Sequence, residues 1–299
     1  MEELKACPLC GGSNFKKQFD CIDYTVSKET FSVQSCLSCG FVFTNPRPAP
    51  ADLGKYYKSD TYISHSDTSK GIVNKLYKLV RGFTLMQKYR LVQPYLEPNT
   101  LLDIGCGTGA FLNQCTQLGA KATGIEPDPD ARKYGIETYK IDIRPEEALK
   151  EMQDGSFSVI TMWHVLEHVV DLHGRVEEIF RLLKPDGRVF IAVPNHLSYD
   201  AQFYGKDWAA YDVPRHLYHF DIQSISRLFE GHGMMVEQVL PMKFDSYYVS
   251  LLSEEIKTGK RKFIPGMFRG LVSQMKAKTN SWSSQIYVIR KKRGQISQI

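Results

Sequence analysis

Residues 101–109 read Leu101-Leu102-Asp103-Ile104-Gly105-Cys106-Gly107-Thr108-Gly109: an apolar strand, a carboxylate, then a glycine-rich turn opening a helix. Such a turn lets backbone N–H groups approach a ligand with no Cβ in the way. Further on, Ala122-Thr123-Gly124-Ile125-Glu126 reads as a second strand ending in an acid. A βαβ unit presents a carboxylate to ribose hydroxyls at that place. The two segments together predict a bound nucleoside.

Gly105, Gly107 and Ala110 also satisfy a dinucleotide fingerprint, and Asp103 separates the readings. A carboxylate at the tip of the first strand would repel a pyrophosphate at the neighbouring helix N-terminus. It suits the ammonium or sulfonium of S-adenosylmethionine, which carries no phosphate.

On these residues the chain resembles the class I S-adenosylmethionine-dependent methyltransferases. Asp103–Gly109 is similar to their first motif and Gly124-Ile125-Glu126-Pro127-Asp128 to their second. Asp154–Ile160 resembles the run into their fourth strand, with Trp163-His164-Val165-Leu166-Glu167-His168 following, and Leu182–Gly187 resembles the turn before their fifth. The resemblance implies an α/β fold: a doubly wound, Rossmann-like sheet of seven strands with the last antiparallel. It also implies S-adenosylmethionine as cosubstrate. Asp103, Gly105, Cys106, Gly107, Glu126, Pro127, Asp142, Ile143 and Trp163 are then the expected cofactor contacts. Asp142 is expected to end the third strand, where the family places an acid or amide near the adenine amino group. Arg90, ahead of the first strand, is a candidate partner for the cosubstrate's carboxylate.

At the N-terminus, Cys7-Pro8-Leu9-Cys10-Gly11 and Cys36-Leu37-Ser38-Cys39-Gly40 form two C-x-x-C-G knuckles. Two thiolates three positions apart grip one tetrahedral ion, and two such pairs complete a closed four-cysteine zinc site with no position for water. Cys7, Cys10, Cys36 and Cys39 are therefore expected to hold a structural zinc in a small ribbon, with hairpin strands between the knuckles. Pro-rich Thr44–Pro50 marks its exit, so the expected divisions are a ribbon at 1–48, linker and helices at 49–98, and the cofactor-binding domain at 99–299. Tyr56, Tyr57, Tyr62 and His65 follow the exit as a candidate lid. Residues 70–96 show helical spacing at Ile72, Leu76, Leu79, Val80 and Phe83. Strands are expected at 101–104, 121–126, 138–142, 157–162, 188–193, 234–240 and 284–291. Asp221 is an N-cap for the helix before the sixth strand. Residues 245–282 read as an amphipathic helical insertion broken at Pro265-Gly266.

With 299 residues and 42% hydrophobic content, the chain suffices for one large domain and an appendage. No apolar run reaches the ~20 residues of a membrane span, and Met1–Lys5 lacks a signal-peptide h-region, which predicts a cytoplasmic protein. The net charge of +5 is uneven: from residue 256 onward there are eleven Lys and Arg and no acid. Such an end can meet lipid, nucleic acid or a phosphorylated substrate.

Ligands of a doubly wound sheet sit beyond the carboxyl ends of its strands. His164-Val165-Leu166-Glu167-His168 formally matches the inverted zinc-protease pattern, but it ends a strand rather than lying on a helix with a further ligand. Ubiquinone-pathway O-methyltransferases carry a similar acid-x-x-Glu-His turn that can hold a divalent ion near the acceptor hydroxyl, and here His164 replaces the first acid, a departure from that ligand set. After the fifth strand comes Tyr211-Asp212-Val213-Pro214-Arg215-His216-Leu217-Tyr218-His219. An imidazole titrates near neutral pH and can take a proton from an attacking hydroxyl, so His164, His168, His216 and His219 are the catalytic candidates. The Asp/Asn-Pro-Pro-Tyr/Phe motif of nucleobase amine methylation and a Pro-Cys nucleophile are both absent. The expected acceptor is a small molecule or glycan, methylated on oxygen. The alternative is RNA gripped by the ribbon and the basic end, and a third reading is a non-catalytic scaffold that keeps the cofactor fold.

Overall fold

The computed structural model describes residues 1–57, 72–96, 100–260, 262–278 and 280–292, with side chains from residue 82 onward in the long helix. Tyr62 and His65 lie outside the described residues, as do the side chains of Ile72, Leu76, Leu79 and Val80.

Seven strands form the main sheet: β4 (Thr100–Ile104), β5 (Lys121–Ile125), β6 (Asp142–Arg144), β7 (Phe157–Trp163), β8 (Leu183–Pro194), β10 (Met234–Pro241) and β11 (Ser284–Lys291). Their order is β10-β11-β8-β7-β4-β5-β6, with β11 antiparallel to both neighbours and the rest of the ladder from β8 to β6 parallel. Helices α2 (Ala110–Gln117), α3 (Pro129–Tyr139) and α4 (Leu172–Leu182) make the crossovers. Strands buried on both faces must be apolar throughout, and their alternation divides the core. Leu102, Ile104, Ile160, Met162, Val189 and Ile191 pack on one side. Leu101, Val159, Phe190 and Ala192 pack on the other.

Helix α1 (Ile72–Val92) precedes β4, α5 (Tyr199–Tyr204) follows β8, and α6 (Ile222–Glu230) precedes β10. Asp221 caps α6 in a capping box, its side chain accepting from the Ser224 amide. Two expectations are corrected. The third strand is not 138–142: α3 runs to Tyr139 and ends at left-handed Lys140, so β6 begins at Asp142. The insertion is a hairpin of α7 (Asp245–Thr258) and α8 (Phe263–Lys276). It breaks at left-handed Gly259, whereas Pro265 and Gly266 lie within the first turn of α8, where proline's missing N–H costs nothing.

The N-terminal strands β1 (Phe15–Ile22), β2 (Thr30–Cys36) and β3 (Val42–Thr44) form a second, antiparallel sheet. Its fourth strand is β9 (Tyr218–His219), contributed by the loop after β8. Cys7, Cys36, Phe41 and Phe43 share one hydrophobic cluster with Val193 of the main sheet and with Leu166 just beyond β7. The cysteine-bearing segment is thus sewn onto the large domain. Among the described residues, no helix is long and apolar enough to cross a membrane.

Candidate active site and metal centres

The glycine turn is built as the sequence requires. Gly105 and Gly107 take φ of 72° and 55°. The Gly105 and Cys106 amides donate to the Ile125 carbonyl at 2.7 and 3.0 Å, tying the turn to the end of β5. Glu126 follows directly. One of its carboxylate oxygens accepts the Gly107 amide at 2.8 Å and the other the Asp128 amide at 2.9 Å. Burial raises its pKa, and these two amides pull against the rise.

Asp103 lies one strand away, 2% exposed, accepting a hydrogen bond from Thr161 Oγ1 at 2.6 Å. Burial pushes its carboxyl up to about 7, with Thr161 and the charge of Lys88 opposing. Lys88, from α1, stands 4.5 Å from the ring centroid of Trp163. Burial lowers its ammonium to about 8, and Asp103 and Asp245 partly restore it. The helix therefore turns Lys88, not Arg90, toward the site, and Arg90 is exposed.

Other expected contacts divide. Trp163 ends β7 and packs edge-to-face on Phe111 at 5.4 Å. Pro127 is exposed beside Glu126, and Cys106 is half-buried. Asp142 is not at the carboxyl end of its strand: it opens β6, paired with Thr123, and is held by Arg144 at 2.8 Å and by the Thr123 hydroxyl at 3.2 Å. Arg144 occupies the strand end next to Glu126, whose amide donates to the Arg144 carbonyl at 3.0 Å. The Ile143 side chain is buried in the core, so only its backbone remains to meet a ligand.

Beyond β7 the chain turns through His164, whose φ is 58°, into a short 3-10 turn at Leu166–His168. His164 Nδ1 lies 3.4 Å from Glu167 Oε1, and its Nε2 lies 3.3 Å from Met242 Sδ and 3.9 Å from Asp245 Oδ2 on α7. Burial pushes His164 down, but Asp245 and Glu167 outweigh it and its pKa ends above the ordinary imidazole value. The Glu167 carboxylate is completely buried, and among the described residues its oxygens have no partner beyond the His164 imidazole 3.4 Å from Oε1. A buried anion so placed is costly unless a cation joins it.

His168 and His216 meet beside it, rings edge-to-face at 4.7 Å. His168 Nδ1 lies 3.0 Å from the Arg215 carbonyl and His216 Nδ1 lies 2.8 Å from the Ala210 carbonyl. Donating Nδ1–H to those carbonyls leaves each Nε2 lone pair available. Glu167, His168 and His216 each offer a ligand atom, all within 4.8 Å of one another. One carboxylate and two imidazoles suit a divalent transition ion or zinc. The inverted-protease geometry is absent, because these residues occupy a turn and a loop rather than one helix face. His219 is elsewhere. It lies on β9, 4% exposed, with Nε2 3.3 Å from Thr44 Oγ1 and its ring against Tyr211 at 5.0 Å. Its ring nitrogens are not among the ligand atoms that converge with Glu167.

The four cysteines converge. Cys7 Sγ and Cys39 Sγ are 3.7 Å apart, Cys10 Sγ and Cys36 Sγ 3.6 Å, and all four lie within 4.8 Å of one another. A tetrahedron with Zn–S bonds of ~2.3 Å has edges of about 3.8 Å.

A family model described as a methyltransferase domain matches residues 83–239, just over half of the chain. The chain belongs to the methyltransferase-domain family. Among curated relatives it is similar to the ubiquinone biosynthesis O-methyltransferase of Xanthomonas oryzae pv. oryzae, 33% identical over 129 residues, which is 40% of this chain and 54% of that protein. The protein of the same name from Nitrosococcus oceani is 38% identical over 130 residues, 40% of this chain and 55% of its own length. The chain thus spans about half the length of these relatives. A solved structure of a SAM-dependent methyltransferase from Thermotoga maritima, titled a possible histamine N-methyltransferase, superposes with a TM-score of 0.50. It is 17% identical and covers 74% of this chain and 96% of that one. At that identity the likeness speaks to the fold alone.

Sequence reasoning did not find Lys88, Asp245 or Thr161. Thr161 carried a usable signal, since it lies in β7, the strand next to Asp103. Lys88 and Asp245 come from a preceding helix and from an insertion with no motif.

Proposed function

We propose that this protein transfers the methyl group of S-adenosylmethionine to a hydroxyl oxygen of a small molecule or glycan. The observation that carries the reading is the adjacency of two groups of residues at the carboxyl ends of the central strands. Asp103, Gly107, Glu126 and Lys88 form a nucleoside-and-amino-acid cradle, and His164, Glu167, His168 and His216 stand at the end of β7, beside Trp163. Similarity to proteins named O-methyltransferases supports oxygen as the acceptor atom.

In this reading Glu126 meets the ribose hydroxyls, Asp103 the methionine ammonium and Lys88 its carboxylate. The sulfonium is already activated, so in-line alignment of acceptor, methyl and sulfur supplies much of the rate. His164 Nε2 accepts the hydroxyl proton, and Glu167 Oε1 holds Nδ1–H and steadies the imidazolium that results. Glu167, His168 and His216 would hold a divalent cation, which supplies charge that lowers an acceptor hydroxyl's pKa. Cys7, Cys10, Cys36 and Cys39 are assigned a structural zinc. Methyl-labelled S-adenosylmethionine incubated with panels of catechols, polyphenols, nucleotide sugars and RNA tests the proposal. Label should enter an oxygen-bearing small acceptor, and labelling of RNA alone would overturn it.

A further inference from the structure

The hairpin helix α8 is packed inside out. Its buried face is Gly266, Gly270 and Ser273. A Cβ on Gly266 would lie 2.9 Å from Leu251 Cα, and one on Gly270 2.7 Å from Tyr247 Cα, so small residues let α8 press its backbone against α7. The large apolar side chains are consequently turned outward. Ile264, Phe268, Leu271 and Met275 fall at i, i+4, i+7 and i+11, one stripe of the helix, and they are 80%, 57%, 43% and 77% exposed. Phe263 beside them is 65% exposed. A helix packed to stabilise a monomer buries such residues and presents polar ones to water.

Charge decides what covers the stripe. Helix α8 carries no acid, while Lys260, Lys262, Arg269, Lys276 and Lys278 lie on it or flank it. Arg269 and Lys276 are braced over the rings of Phe203 and Tyr199, at 4.0 and 4.4 Å, along one side of the stripe. Two copies meeting through this surface would bring like charges together. Anionic headgroups complement it, and an apolar face edged by lysine and arginine is the composition of a helix lying in a lipid interface. At ~1.5 Å per residue, 14 residues lie on a bilayer and do not cross it.

We propose that the α8 stripe docks the protein onto an anionic lipid bilayer. The surface adjoins the site, because α7, which packs against α8, carries Asp245 opposite His164.

Co-sedimentation of the full chain with vesicles of phosphatidylcholine, with and without about a third phosphatidylglycerol, tests this. The wild type should pellet with the anionic vesicles and lose about tenfold of that partitioning with neutral vesicles or at high salt. I264E/F268E, and the milder I264S/M275S, should abolish pelleting while leaving the circular dichroism spectrum unchanged. I136E, on exposed Ile136 of α3 at the opposite edge of the sheet, should bind as the wild type. Wild-type protein remaining in the supernatant with anionic vesicles overturns the proposal, as does full binding by I264E/F268E. A wild-type dimer that I264E/F268E converts to monomer, with no vesicle binding by either, assigns the stripe to a second copy instead.

Discussion

Arg215 donates to Asp23 at 3.0 Å across 192 positions of sequence, and the side chains are 1% and 0% exposed. Asp23 belongs to the turn between β1 and β2 and also accepts the amides of Thr25, Val26 and Ser27. Arg215 further donates to Asp212 and to the Tyr56 carbonyl, and His216 is the next residue. The hairpin between the cysteine knuckles is therefore bonded directly to the loop that presents a candidate metal ligand.

Without Asp23 the Arg215 guanidinium keeps Asp212, but it loses one carboxylate partner and the amides of Thr25, Val26 and Ser27 lose their acceptor. Asp23→Ala should destabilise the fold by about 1–3 kcal/mol, read as a lowered midpoint in urea. Asp52→Ala, in an exposed pair with Lys55, should leave the midpoint essentially where it is.

Metal analysis of native protein should find about one zinc per chain in the cysteine site. Cys36→Ser should lose it and lower the melting temperature, whereas Cys115→Ser, outside the cluster, should keep the metal. Because the ribbon's sheet is completed by β9, chelation should also weaken activity, although the site holds no reacting atom.

Glu126→Ala should reduce S-adenosylmethionine affinity by roughly 1–3 kcal/mol through lost charge-assisted hydrogen bonds. Calorimetry measures this directly. NAD bound in preference to S-adenosylmethionine would refute the assignment of the cradle.

The pH response of Asp103 has a definite sign. Its carboxyl stands at about 7 in the fold, raised by burial from an ordinary value of 3.8. The stability it contributes is fully present below pH ~4 and is lost as pH rises toward 7. Ionisation is what the methionine ammonium requires, so cofactor affinity should climb through the same interval. Asp103→Asn should flatten both profiles, followed by calorimetric titration and thermal melts between pH 5 and 8.

Lys88→Met should weaken cofactor binding by about tenfold, and Arg90→Met should leave it unchanged. Trp163 fluorescence reports the difference, since Lys88 lies over that ring.

Some of the site was legible because its chemistry depends on local spacing. A glycine turn at the end of an apolar strand, an acid at the end of the next, and two C-x-x-C-G knuckles each specify geometry within a few residues. The strand positions followed from apolar runs, except that β8 opens at Leu183 rather than 188 and that β6 is displaced. There the left-handed stop at Lys140 moved the strand and left Asp142 at its opening end. Periodicity placed a helix before β4, but not which side of it faces Trp163 at the end of β7. Lys88 and Arg90 are two positions apart on α1, hence on nearly opposite faces, and packing selected Lys88.

By itself the sequence determined the methyltransferase sheet, the glycine turn with Glu126 behind it and the convergence of four thiols, because neighbouring residues write those features. Only the tertiary structure decided that β9 joins the ribbon to the large domain, that His219 is buried at that joint, and that Glu167, His168 and His216 converge. It also decided that α8 shows its large apolar side chains to the outside. Each of these depends on which surfaces meet across long stretches of chain, and burial and charge pairing settle that only when the whole fold closes.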